Sequence, residues 1–538
     1  LVSDRVGSAL AALERWWSPA AARPWWERYL TGACLAFAVV AIVLYDARYH
    51  EFWRDEAHTY LFNEHVPLHR FLLAKKVEGH PPLYDLLTVP LVPVLSPFAR
   101  ILVAEAVGFG VLLFGTYRCL LSICLRPVAS LVLTALFAAS YVYVYELGVV
   151  VRCYALGAGF GLLTSAYLRD ALRGHSLRPV WLGTAAGAAC LLSSTHAATI
   201  AAGAITAYGF VSLWRHRGIV MALPTLAVLP FLYLLYWEIE PFPGRSGELN
   251  LDLKLPHEQF VKMAKQALAG SFTPQDWWVT TVFGDPHVLD RIALLRHWGM
   301  VGVLAALAYS IVLRLAPDFK SYRPVLVYDV LSIAIGWAGL LEILVNHYWG
   351  SPRHHLFLSL PAVVLAAGWG AQRGYGPLRH AGALALPALG AWFAFQIWVG
   401  ARCLLLDVDL PFSDTKAAAA LLPRDAHLVA DSLTTQESYM LWKPDIVMRG
   451  GDSGGRSMGY VGFDSAWHAS APLLPMVREE CGKAEDRTFF SGWGWGLGGV
   501  SACLKTLRAA SEHSEQTRPD ERFDLSLVDC ACVKGVGR

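Results

Sequence analysis

Long apolar runs separated by short polar breaks fill the first three quarters of the chain. They recur from about Leu30 to about Gly400 at lengths near ~20 residues, which an α-helix needs to cross a hydrocarbon layer ~30 Å thick. The pattern predicts spans at about 29–45, 99–122, 127–145, 153–168, 179–196, 197–214, 219–237, 294–313, 324–346, 355–371 and 381–400, about eleven in all. Pro82–Leu95 is also apolar, but it is short and proline-rich and is expected as a helix lying at the interface. Within the runs the residues are mostly Ala, Leu, Gly and Val, with Glu105 the acidic residue standing inside a span, in its outer half.

The polar breaks give a direction. Basic residues fall in alternate breaks: Arg15, Arg23 and Arg28; Arg118 and Arg126; Arg169, Arg173 and Arg178; Arg215 and Arg217; Arg314, Lys320 and Arg323; Arg373 and Arg379. Positive residues stay on the cytoplasmic side, so one assignment places all of these groups, and the N-terminus, inside. A first loop at 46–97, a second at 238–291 and the region from Ala401 then lie outside. The expected architecture is a polytopic α-helical membrane domain over 1–400 and an extracytoplasmic soluble domain over 401–538. The tail has frequent charges, turns at Gly450, Gly451, Gly454 and Gly455, and strand-like runs at Ala426–Ala430 and Leu525–Val528. A small mixed α/β or β-rich domain fits. Cys481, Cys503, Cys530 and Cys532 all fall in it, which suits disulfides in an oxidising compartment. Cys530 and Cys532 are too close to pair with each other, so each is expected to bond one of the other two.

Composition agrees with a membrane class. Of 538 residues, 55% are hydrophobic and 16% charged, against about 25% charged in soluble domains. A net charge of +2 removes the case for a nucleic-acid partner. The N-terminus does not read as a cleavable signal; Trp16, Trp17, Trp25 and Trp26 suit an interfacial anchor. The Ala-, Arg- and Trp-rich composition points to a bacterial inner membrane, with the outer side the periplasm.

Placed on this topology, the unusual polar residues gather at one surface. The first outer loop holds Asp55 and Glu56, then His80-Pro81-Pro82. Arg100 opens the second span; Glu146, Arg152 and Tyr154 line the turn after the third; His196 ends the fifth; and Glu342, Asn346, His347, Arg353, His354 and His355 surround the turn between the ninth and tenth. Each has a bland alternative: a solvated acidic pair, an arginine snorkelling to lipid phosphates, a packed histidine, a rigid prolyl turn. Five separate stretches meeting at one surface is harder to explain that way, because charge at membrane depth needs a partner, a cavity or a task. A carboxylate beside several cations suits transfer from a phosphate-bearing lipid. The carboxylate acts as general base on an acceptor hydroxyl, and arginines hold the leaving phosphate.

The Asp55-Glu56 pair in a long first outer loop, followed by His80–Tyr84 (HPPLY), resembles the GT-C glycosyltransferases. The resemblance is to the group containing protein O-mannosyltransferases and the lipid A aminoarabinose transferase. It continues through Glu146, Arg152-Cys153-Tyr154-Ala155-Leu156, Thr195-His196 and Arg353-His354, over roughly residues 30–400. It implies inverting transfer of a sugar from a polyprenyl-phosphate donor to a hydroxyl acceptor. Asp55 would be the base and Glu56 its aid, while Arg152, Arg353 and His354, with Arg100 and His80, would hold the donor phosphate. Tyr154, His196, Glu146, Glu342 and His347 are further site candidates. The spacing from Glu146 to Arg152 is longer than the group's pattern. The resemblance implies no cofactor and no strictly required metal, and the histidines are not at tight ligand spacing. Phe272, Trp277 and Trp278 in the second outer loop suit either an acceptor-facing lid or an interfacial helix. The rival readings are a transporter, which would gather polar residues at the midplane, and a ligase of preassembled lipid-linked glycans.

Overall fold

The computed structural model describes residues 25–49, 81–123, 125–149, 153–174, 176–215, 219–239, 323–344, 352–370, 379–409, 415–430, 447–450, 473–484, 487–491, 502–508 and 525–535, with single positions between 258 and 312. The helices are α1 (Trp25–Arg48), α2 (Leu83–Thr88), α3 (Pro97–Ser122), α4 (Pro127–Ala138), α5 (Cys153–Arg173), α6 (Leu177–Leu191), α7 (Thr195–Trp214), α8 (Ile219–Ala222), α9 (Leu229–Ile239), α10 (Arg323–Glu342), α11 (Pro352–Gly370) and α12 (Arg379–Asp409). After them come α13 (Thr415–Ala420), α14 (Leu473–Lys483), α15 (Cys530–Gly535) and strands β1 (His427–Ala430), β2 (Val447–Gly450), β3 (Thr488–Ser491), β4 (Leu504–Arg508) and β5 (Leu525–Val528).

The protein is a helical membrane protein with a small mixed sheet near the C-terminal end. Four described helices are long and apolar enough to cross a bilayer: Tyr29–Arg48, Phe98–Ser122, α7 and α10. A fifth arises if α4 and the π-helical segment Val142–Val149 count as one span. Of the about eleven expected spans, four or five thus meet that length and composition among the described residues. The other runs do form helices, but with local interruptions. α5 carries Arg169, Asp170 and Arg173 in its last turns, and α6 has 15 residues. Pro224 and Pro230 divide the run at 219–237 into α8, a 3₁₀ segment (Leu223–Val228) and α9. The run at 127–145 bends by 65°, where the Ser140 hydroxyl donates to the Phe137 carbonyl at 2.6 Å and competes with helical bonding. The run at 294–313 and the second outer loop lie outside the described residues apart from isolated positions. Within Pro82–Leu95 a six-residue helix is followed by a 3₁₀ turn at Val89–Leu91.

The described residues divide into two compact units, one within Leu1–Val43, Lys75–Tyr84 and Glu105–Cys403, the other within Leu44–Ala74, Asp85–Ala104 and Leu404–Arg538. In the first, small residues let helices approach backbone to backbone, the packing mode available where water provides no drive. A Cβ on Gly159 of α5 would stand 2.6 Å from the α3 backbone at Val111 and Leu112. Where α7 crosses α10, a Cβ on Gly203 would stand 2.8 Å from the Gly336 nitrogen.

Arginines tie the C-terminal ends of α3, α5 and α7 together. Arg173 donates to the Ser122 carbonyl, Arg215 to the Leu172 carbonyl at 3.2 Å, and Arg118 to Asp170 at 3.0 Å. Cations there meet the negative ends of helix dipoles and the last unpaired carbonyls. Arg169 goes further inward. It is 1% exposed, pairs with Asp329 of α10 at 2.7 Å and donates to the Ser122 hydroxyl. Asp329 is fully buried inside an apolar run, so Glu105 is not the sole acidic residue within a predicted span.

In the second unit the sheet order is β2-β1-β3-β5-β4, parallel from β2 to β3 and antiparallel beyond. Alternate side chains feed two cores. Val429, Phe490 and Val528 pack with Val477 of α14 and Val533 of α15. Leu428, Phe489 and Leu525 pack with Ala418 and Ala419 of α13. Disulfides Cys481–Cys530 and Cys503–Cys532 lock the first core, so the two close cysteines do take separate partners.

Asp329→Ala leaves Arg169 buried without its carboxylate and should cost about 3–5 kcal/mol, whereas Arg169→Met with Asp329→Leu should recover most of that loss. Thermal unfolding in detergent reads both; equal losses in the single and double variants would refute a coupled pair.

Candidate functional site

Three helices of the first unit begin beside one another. α5 opens with Cys153-Tyr154 after the π-helical stretch, α7 with Thr195-His196, and α11 with Pro352-Arg353-His354. The starts are locally encoded. Pro352 suits a first helical position, where its missing N–H is no loss. Ser194 stands extended before α7 and its hydroxyl accepts from the Ala197 N–H at 3.4 Å.

The Tyr154 hydroxyl and His354 Nε2 share a hydrogen bond of 2.8 Å. The His354 ring stacks on His196 with centroids 4.2 Å apart and planes 17° from parallel. Phe357, one turn beyond His354, closes the cluster at 6.1 Å from Tyr154 and 6.5 Å from His196. Tyr154, His196 and His354 are all buried, at 4%, 6% and 4% exposure. Close helix contact holds them there. A Cβ on Gly157 would stand 2.8 Å from that of Ser194 and 2.9 Å from that of Ala197. The Cys190 thiol lies 3.2 Å from the Gly157 carbonyl.

The structure thus unites Tyr154, His196 and His354 from three of the separate stretches. Arg353 occupies the first turn of α11, with its side chain outside the described residues. Arg152, two residues before Tyr154 in sequence, is also outside them. His80 lies outside them too. The segment after it is fixed: Pro81 and Pro82 are buried, and the Leu83 N–H donates to the Leu192 carbonyl at 2.8 Å, in the turn leading to His196. Asp55, Glu56 and His347 fall outside the described residues.

Arg100 is fully buried in the first turns of α3, in the second unit, which removes the reading of a snorkelling side chain. Glu146 is buried in the π-helical segment, where its carboxylate accepts from the Tyr141 hydroxyl. Glu342 is exposed at the end of α10. His355, named with them from the sequence, is also buried; Phe357 was not singled out, though it stands three residues after His354, the spacing that puts two side chains on one helix face. Among the described residues no three His, Cys, Asp or Glu side chains are grouped to hold a metal ion.

No family model matches the chain, and no curated protein does. Two solved structures of the oligosaccharyltransferase of Archaeoglobus fulgidus are similar to it. AglB in complex with an inhibitory peptide and a dolichol-phosphate shares 11% identity at a TM-score of 0.44, over 79% of this chain and 65% of that one. The apo form shares 12% at 0.45, over 87% and 70%. The match to the first therefore covers less than two thirds of that protein's length.

Gly157→Val should push α5 from α7 and cost roughly 1–3 kcal/mol as overpacking. Unfolding in detergent measures it; an unchanged midpoint would mean that the two helix starts are not held by this contact.

Proposed function

We propose that the chain is an inverting glycosyltransferase of the GT-C type, moving a sugar from a polyprenyl-phosphate donor to a hydroxyl acceptor on the extracytoplasmic face. The observation that carries the reading is the buried Tyr154–His354–His196 cluster at three converging helix starts, with Arg152 and Arg353 in adjoining positions. Helix N-termini favour anions and disfavour cations. Arg152 and Arg353 stand next to the cluster residues in sequence and would supply guanidinium donors to an anion there. A phosphate would draw on guanidinium and imidazole donors and the helix dipoles together.

In this reading Asp55 takes the proton from the acceptor hydroxyl, whose oxygen attacks the anomeric carbon. The carbon–phosphate oxygen bond breaks and the polyprenyl phosphate departs with the bonding pair. Glu56 orients the acceptor or the base; Arg152, Arg353 and His354, aided by His80 and Arg100, take up the charge on the leaving phosphate. Tyr154 fixes the His354 ring through its hydroxyl. The cluster stands at helix starts rather than at mid-helix, which favours a reaction at the membrane surface over a transport site at the midplane. The support from sequence is the DE pair, the HPPLY stretch and the Arg152–Leu156 stretch.

The test is turnover of a panel of polyprenyl-phosphate sugars by the purified protein, with lipid and peptide hydroxyl acceptors present. One donor should be consumed by the wild type, and Asp55→Asn should slow it by about 10²–10⁴-fold, the contribution of a general base. Tyr154→Phe should raise KM more than it lowers kcat. Donors left untouched by the wild type, or turned over equally by Asp55→Asn, would defeat the reading.

A further inference from the structure

α3, α5 and α6 enclose an open groove of about 480 Å³. It lies by the last turns of α5, where Asp170 is sixteen residues from Tyr154, or roughly 24 Å along the helix axis. Its upper wall is charged, from Arg118, Asp170 and Arg178. Its lower wall is apolar and open to the surroundings, with Phe114 42% and Leu182 40% exposed.

We infer that this groove binds an anionic diacyl phospholipid, its phosphate on Arg118 and Arg178 and its acyl chains along Phe114 and Leu182. Arg118 is already oriented for this: it donates to Asp170 at 3.0 Å, its guanidinium lies 5.3 Å over the Tyr167 ring, and its side chain remains 24% exposed. Asp170 does not neutralise the wall. It is shared with Arg173 at 3.9 Å, so one carboxylate faces three guanidinium groups once Arg178 is included. That excess selects an anionic headgroup over a zwitterionic one, whose own cation would be brought against the arginines. The apolar wall selects a lipid over free phosphate. α3 is among the helices able to cross a bilayer, so Phe114 on its outward face meets acyl chains. Basic residues at a helix end above a lipid-facing cleft form the amphipathic shape of a phospholipid, with charge and hydrocarbon at the matching ends.

The full chain, purified in detergent, is titrated with phosphatidylglycerol or phosphatidylcholine of the same acyl composition, and retained lipid is counted by native mass spectrometry. Phosphatidylglycerol should be held in preference. Arg178→Gln should weaken it by roughly five-fold, the worth of one basic residue at a membrane surface, while Arg178→Lys keeps most of the affinity and phosphatidylcholine binding is unchanged. Arg178 is exposed at the second residue of α6, so these variants leave the packed interior intact. Equal retention of the two lipids, or phosphatidylglycerol binding indifferent to Arg178→Gln, would overturn the assignment. So would a polyprenyl phosphate displacing phosphatidylglycerol from the wild type while Arg178→Gln has no effect on that exchange.

Discussion

At Gly115 and Gly159 the backbones of α3 and α5 come closer than any pair of side chains would permit, and a methyl group on either would strike the other helix. In a bilayer, where lipid tails are as apolar as leucine, such contact is a main source of helix attraction. α5 repeats the device along its length, meeting α7 at Gly157 as well. Because α5 is held this tightly, both of its ends are fixed relative to their neighbours. Tyr154 can meet a histidine from residue 354, and Arg169 an aspartate from residue 329, only because the helix between them cannot shift.

The two ends of α5 hold different chemistry. At one, arginines satisfy helix C-terminal carbonyls and one guanidinium is buried with its carboxylate. At the other, the stacked imidazoles of His196 and His354 and the Tyr154 hydroxyl meet at the starts of three helices.

Much of this could be read from the sequence, for identifiable reasons. Apolar runs marked where the helices lie, because a helix in hydrocarbon must be apolar over most of its length. The run length alone did not reveal where Pro224, Pro230 and Ser140 interrupt it, since such residues change the hydrogen-bond ladder and hardly change hydropathy. Tyr154, His196 and His354 stood out as polar residues at run ends, and the structure joins them. The contact itself was not legible, because a common depth says nothing about which side of a helix a residue occupies. Arg169 read as one of several loop arginines. Its partner Asp329 was the available signal: a carboxylate six residues into an apolar run needs a cation, and α5 supplies one.

The order of strands in the small sheet carries a consequence for biosynthesis. β5 is made after every other strand, yet it lies between β3 and β4, and α15 directly after it supplies Cys530 and Cys532 to both disulfides. Until that segment emerges, β3 and β4 each present a bare edge and Cys481 and Cys503 remain thiols. A chain interrupted before residue 525 thus exposes unpaired backbone and reactive sulfur at once, marking it for proteolysis.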